Sequence, residues 1–128
     1  MAKLNYAHLC DYAFLSANRT PTLIGIFSEI MGKSLPSVHP LMVVVADFTR
    51  DASTIYRFVI TIKAPSGKLA VPPIDGTAEA SDSTKKNVGI MAYVYGLKLE
   101  EEGTYTIEMT VNNDSLGIIA AFDVSIVR

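Results

Sequence analysis

The chain has 128 residues, of which 49% are hydrophobic and 19% charged, with a formal net charge of −2 at pH 7. A chain this apolar and this weakly charged is not intrinsically disordered. Its lysines and arginines are scattered, which argues against a nucleic-acid partner, since phosphate recognition gathers cations into a stripe or patch.

The length fits one domain and buries roughly two-thirds of the unfolded surface without covalent staples. One cysteine, Cys10, allows no internal disulfide and fits a reducing compartment. The first residues hold an early lysine but no apolar stretch of a secretory signal. The longest apolar runs, such as residues 41–46, fall far short of the ~20 residues that cross a bilayer. A cytoplasmic protein with no membrane partner is therefore expected.

Residues 4–15 alternate. Leu4, Tyr6, His8, Cys10, Tyr12 and Phe14 share one bulky face, which is expected to meet the core. Residues 16–21 are polar and end at Pro21, as a turn does. Residues 22–31 follow as a second strand, with Gly25 marking a bulge or a close backbone approach. The two strands make a hairpin. Residues 32–40 hold a glycine and two prolines and read as a loop.

Residues 41–48 are β-branched, continuous and apolar, which predicts a strand covered on both faces. Residues 54–63 alternate, with Tyr56, Phe58, Ile60 and Ile62 opposing Ile55, Arg57, Val59 and Thr61. The stretch 64–68, proline early and glycine late, is a tight turn. Residues 69–87 are irregular. Val71-Pro72-Pro73 does not suit a central strand, Asp75-Gly76 signals a turn, and 78–86 reads as a loop with one short edge strand at most.

Strand character returns over 88–99. In 104–111, Tyr105, Ile107, Met109 and Val111 share a face. Asn112 to Ser115 form a turn of residues that tolerate left-handed backbone. The last strand, 116–127, carries Ile118, Ala120, Phe122, Val124 and Ile126 in alternation. No segment keeps helical periodicity beyond one or two turns. Seven or eight strands at about ten-residue spacing predict an all-β sandwich.

One local feature narrows the fold. Leu99, the acidic run Glu100-Glu101-Glu102, Gly103 and then Tyr105 and Ile107 resemble the corner that enters the penultimate strand of immunoglobulin-like domains. There the tyrosine hydrogen-bonds back to the turn. Ile107 stands where antibody domains have a cysteine, which suits a sandwich held by packing alone. Cys10-Asp11-Tyr12-Ala13, the run from Thr22 to Phe27, and Pro36-Ser37-Val38-His39-Pro40 together resemble a family of short, uncharacterised bacterial proteins. That resemblance implies an immunoglobulin-like β-sandwich and names no activity, cofactor or site residue.

Chemistry-bearing residues are few. His8 and Cys10 share a strand face, and with Asp11 or His39 they supply too few ligands for a zinc site. Cys10 among Tyr6, Tyr12 and Phe14 is expected to be an inert buried thiol rather than a nucleophile. Glu100, Glu101 and Glu102 read as a solvated corner. Gly25, Gly32 and Gly67 are isolated and form no phosphate loop. No catalytic, cofactor-binding or metal-binding residue is therefore assigned, and no cofactor is expected. The expected role is a non-enzymatic interaction or structural module, with a protein partner or a second copy docking at an exposed sheet face or edge. The alternative is a small-ligand protein or hydrolase with a pocket near His8, Cys10 and His39.

Overall fold

The computed structural model describes residues 3–18, 20–51, 55–79 and 86–127. Nine strands occur among them: β1 (Lys3–Leu15), β2 (Pro21–Ile26), β3 (Glu29–Gly32), β4 (Ser37–Thr49), β5 (Ile55–Lys63), β6 (Ile74–Glu79), β7 (Asn87–Leu99), β8 (Gly103–Val111) and β9 (Asp114–Ile126). They form two sheets. Sheet A has the order β2-β1-β4-β7 and sheet B the order β3-β9-β8-β5-β6. Every pairing is antiparallel except β3 with β9.

The core lies between the sheets. Sheet A contributes Leu9, Met42, Val44, Ala46, Phe48, Val88, Ile90, Ala92 and Val94. Sheet B contributes Tyr56, Phe58, Ile60, Ile62, Tyr105, Ile107, Met109, Val111, Phe122 and Val124. Strand alternation makes this possible, since every second side chain points to the same face. The alternations expected in β5 and β8 are the ones observed: Tyr56, Phe58, Ile60 and Ile62 are buried, and so are Tyr105, Ile107, Met109 and Val111. Residue 54, expected to begin β5, lies outside the described residues, as do residues 80–85 of the expected 78–86 loop. Two rings close each end of the core. Phe48 meets Tyr56 edge-on at 5.1 Å, and Tyr105 stacks on Phe122 at 5.1 Å.

Strand β4 is buried on both faces. Met42, Val43, Val44, Val45 and Ala46 are all at most 2% exposed. From Met42 to Phe48 its even-numbered residues face sheet B. Val43 and Val45 face the other way and form a second apolar cluster with Cys10 and Ala13, flanked by Leu23, Leu41 and Met91. Sheet A thus carries apolar side chains on its outer face as well.

Several expectations change. The residues 22–31 are not one strand. β2 pairs with β1 in sheet A, and β3 pairs with β9 in sheet B, so the chain crosses between sheets at Phe27 and Ser28. Phe27 packs against the main core at that crossing. Pro21 opens β2 rather than closing a turn, which an edge strand permits because its lost donor is not needed by a neighbour. Residues 37–40 belong to β4, held by a β7 that reaches to Leu99. Asp75 and Gly76 lie inside β6. Gly76 sits opposite Phe58, and a Cβ there would stand 2.7 Å from the ring's Cζ, so the glycine makes room for the ring.

Two hairpin details follow from local chemistry. Asn112 and Asn113 have φ of 49° and 69° and connect Val111 to Asp114, the left-handed pair that a two-residue hairpin needs. Asp114 and Ser115 join β9. In β7, Gly96 has φ of 65°. The alternation steps over by one there: Tyr95 and Gly96 are both exposed, and Leu97 and Leu99 turn into the core.

Candidate functional site

The three residues of the alternative pocket do not converge. His8 lies opposite Val45 and is exposed, and Cys10 lies opposite Val43. His39 is six residues from Val45 along the same strand, roughly 20 Å at about 3.3 Å per residue. Its ring packs on Phe27 at 5.8 Å, and it lies opposite the core residue Leu97, away from the Cys10 cluster. Its Nε2 is buried with no hydrogen-bond partner among the described residues. A pocket built on His8, Cys10 and His39 is thus excluded by the register of β1, β4 and β7.

Cys10 is fully buried and its Sγ lies 3.8 Å from the Val43 carbonyl oxygen. Burial first, and the Asp11 carboxylate second, push its thiol above the ordinary value of 9.0, against a smaller lowering by a backbone hydrogen bond at Tyr12. The thiolate that a nucleophile requires is disfavoured. Among the described residues no group of three or more His, Cys, Asp or Glu is placed to hold a metal ion.

The acidic corner is solvated, with Glu100 and Glu102 exposed, and it also clamps its neighbours. Glu101 accepts hydrogen bonds from the Ser66 backbone N–H at 3.2 Å and from its hydroxyl at 2.7 Å. Glu102 accepts from the Ile126 N–H at 3.0 Å, and Glu100 pairs with Lys68 at 3.5 Å. Inside the corner, the Tyr105 hydroxyl donates to the Glu101 carbonyl at 3.0 Å and accepts from the Glu101 N–H at 3.2 Å. The predicted bond back to the turn is therefore present.

The face predicted to be core on β1 is mostly the outer face of sheet A. Tyr6, His8, Tyr12 and Phe14 are exposed, and only Cys10 of that set is fully buried. A register shift between Leu4 and Tyr6 turns Leu4 toward the main core. Leu9 and Ala7 fill the inner side instead. On the outer side the rings gather: Tyr6 on His8 at 5.5 Å, Tyr12 on Phe14 at 6.1 Å and Tyr12 on Tyr93 at 6.2 Å. The Tyr93 hydroxyl donates to the Ala13 carbonyl at 2.6 Å, tying the end of β1 to β7. Tyr95 is 72% exposed beside it. Sequence alternation marks these residues as one face but does not say which side that face takes.

A groove of about 710 Å³ adjoins this surface. Leu69, Val71 and Ile74 line one wall, and Tyr93, Tyr95 and Lys98 of β7 line the other.

With this arrangement in view, the chain was compared with known proteins. It matches a family of unknown function, DUF6941, over residues 5–121. The chain belongs to this family. No curated protein matches it. Among solved structures it is similar to the Pseudomonas fluorescens alkylpurine DNA glycosylase AlkC bound to DNA containing an abasic site analog, with 11% identity and a TM-score of 0.52. That match covers 96% of this chain and 30% of the glycosylase chain. It is a likeness of fold. No helix of the DUF6941 chain is long and apolar enough, among the described residues, to cross a membrane.

Proposed function

We propose that this DUF6941 protein is a non-enzymatic interaction module of the cytoplasm, with an immunoglobulin-like fold, that docks a protein partner on the outer face of sheet A. The observation that carries the reading is the aromatic outer face. Tyr6, Tyr12, Phe14, Tyr93 and Tyr95 are between 37% and 72% exposed on β1 and β7, the two strands that flank β4. Tyrosine and phenylalanine in one exposed patch supply large contact area at low entropic cost, the composition of protein interfaces.

Support for the immunoglobulin-like fold comes from the order β1-β4-β7 packed against β9-β8-β5-β6 and from the Tyr105 hydroxyl bonded back to Glu101 at the corner before β8. The cytoplasmic assignment rests on the one thiol being buried and without a disulfide partner. The glycosylase's DNA chemistry is not carried over, because the likeness spans a minor part of that chain and a fold does not fix a function.

The test is a comparison of wild type with the Phe14→Ser, Tyr95→Ser double variant in quantitative affinity capture from the source cell. Neither side chain makes a hydrogen bond among the described residues, so the variant is expected to fold as wild type does, checked by circular dichroism and melting temperature. A specific partner retained by wild type and lost by the variant supports the reading. An identical set of captured proteins overturns it.

A further inference from the structure

We infer that a second copy of this chain pairs with the edge of β7 that carries no strand among the described residues, antiparallel and centred on Met91, so that the two four-stranded sheets A continue as one. The inference deepens the interaction reading by naming one partner. It stands on the edge of sheet A rather than its face, so the two can fail separately.

Each sheet has two edges. β2 has 6 residues and begins with a proline, and β3 has 4 residues. β6 has 6 residues and carries Asp75 and Glu79. Short length, proline and charge are the devices by which edges avoid pairing with other chains. β7 is long, has no proline, and holds its one charged side chain, Lys98, next to its last residue. It runs for 13 residues, and from Asn87 to Leu97 it holds no charged side chain. Among the described residues its outer side has no paired strand.

Gly89 is the second observation. It lies within β7, its φ is not positive, and a Cβ built there would meet nothing nearer than the Ala46 carbonyl oxygen at 4.0 Å. The fold of one copy gives no reason for a glycine. A glycine inside a strand weakens it and often marks a place where another chain or ligand comes close. The molecule uses the same device within itself, where Gly76 faces Phe58 across β5 and β6 and leaves room for the ring.

Self-pairing about Met91 reproduces that arrangement twice. Gly89 of each copy faces Tyr93 of the other, and Met91 faces Met91. Asn87 faces Tyr95, and no like charges meet. Tyr93 is already held in place by its hydrogen bond to Ala13. An antiparallel pair of identical strands has a two-fold axis, so the contact closes as a dimer that pairs residues 87–95 of each β7. The outer aromatic faces of the two copies then lie side by side.

Sedimentation equilibrium of the full chain tests this, with Gly89→Lys and Met91→Cys as variants. Wild type is expected to be a dimer. Gly89→Lys is expected to be a monomer with an unchanged melting temperature, because the added side chain meets nothing within its own copy. Met91→Cys is expected to cross-link to itself under mild oxidation, while wild type, whose Cys10 is buried, does not. If Gly89→Lys does not fold, the cross-link decides alone. A monomeric wild type, or a Met91→Cys protein that does not cross-link, overturns the proposal. A dimer lost in Phe14→Ser but kept in Gly89→Lys also overturns it, and leaves the interaction reading standing on the face.

Discussion

Tyr105 shows how much one hydroxyl can hold. Its ring is fully buried against Phe122, and its oxygen satisfies both backbone groups of Glu101. Removing it in Tyr105→Phe leaves two turn groups without their partner while the packing is kept. The expected loss is about 1–3 kcal/mol, the usual cost of leaving partly buried backbone groups unsatisfied. Urea denaturation measures it, and a loss near zero would mean that water replaces the hydroxyl. Cys10 makes the opposite point: full burial makes a group that could carry chemistry inert. Native protein at pH 8 is expected to react with a thiol reagent only at the rate of unfolding, so that added urea accelerates it. Rapid labelling in native buffer would contradict the burial.

At the scale of elements, the decisive events are interruptions of alternation. Gly96 is the clearest. A Cβ there has open space around it, so Gly96→Ala tests backbone strain alone. The left-handed conformation predicts a cost of about 1–2 kcal/mol. The face switch it produces makes a paired prediction for the residues on either side. Leu97→Ala, at 0% exposed, is expected to cost about 2–5 kcal/mol through the cavity it leaves. Tyr95→Ala, at 72% exposed, is expected to stay within about 0.5 kcal/mol. Chemical denaturation of both variants checks the pair, and equal losses would place the switch elsewhere. Ile118 shows the same effect in β9. It alternates in sequence with the core residues Phe122 and Val124, yet it is 60% exposed, because register shifts near Ile107 and Glu108 carry the strand around Gly117, whose φ is 73°.

At the scale of the whole molecule, four acidic groups share one direction. Cys10, Tyr6, Tyr56 and Tyr93 are all raised above their ordinary values of 9.0 and 10.0, each chiefly by burial. Tyr56 is raised further by donating to the Asp51 carboxylate at 2.9 Å. A group whose folded value lies above its unfolded value keeps its proton in the native state after the unfolded chain has lost it. Stability is therefore at its full value below about pH 9 and falls as the pH rises through the folded values. Melting temperature is expected to be flat between about pH 7 and 8 and to drop steadily above about pH 9. A flat profile through that upper range would show that these groups titrate in the folded state as they do in the unfolded one.

The sequence by itself determined that this chain is all-β and where most strands lie, because period-two alternation and turn residues are local signals. Tyr56 to Ile62 and Tyr105 to Val111 were legible for that reason: each has one wholly apolar face opposite one that carries polar residues, and the wholly apolar face is the one buried. The Tyr105 corner was legible because its bond closes within four residues. Tertiary structure alone decided the rest. Residues Leu4 to Phe14 have apolar groups on both faces, so alternation could not say which side meets sheet B, and the bulky rings went outward. The break at Phe27 between β2 and β3 depends on two different partner strands, β1 and β9, distant in sequence. The separation of His39 from His8 and Cys10 was likewise fixed by the pairing register of β4. The aromatic face and the bare β7 edge, from which both proposals start, exist only once nine strands have been divided between two sheets.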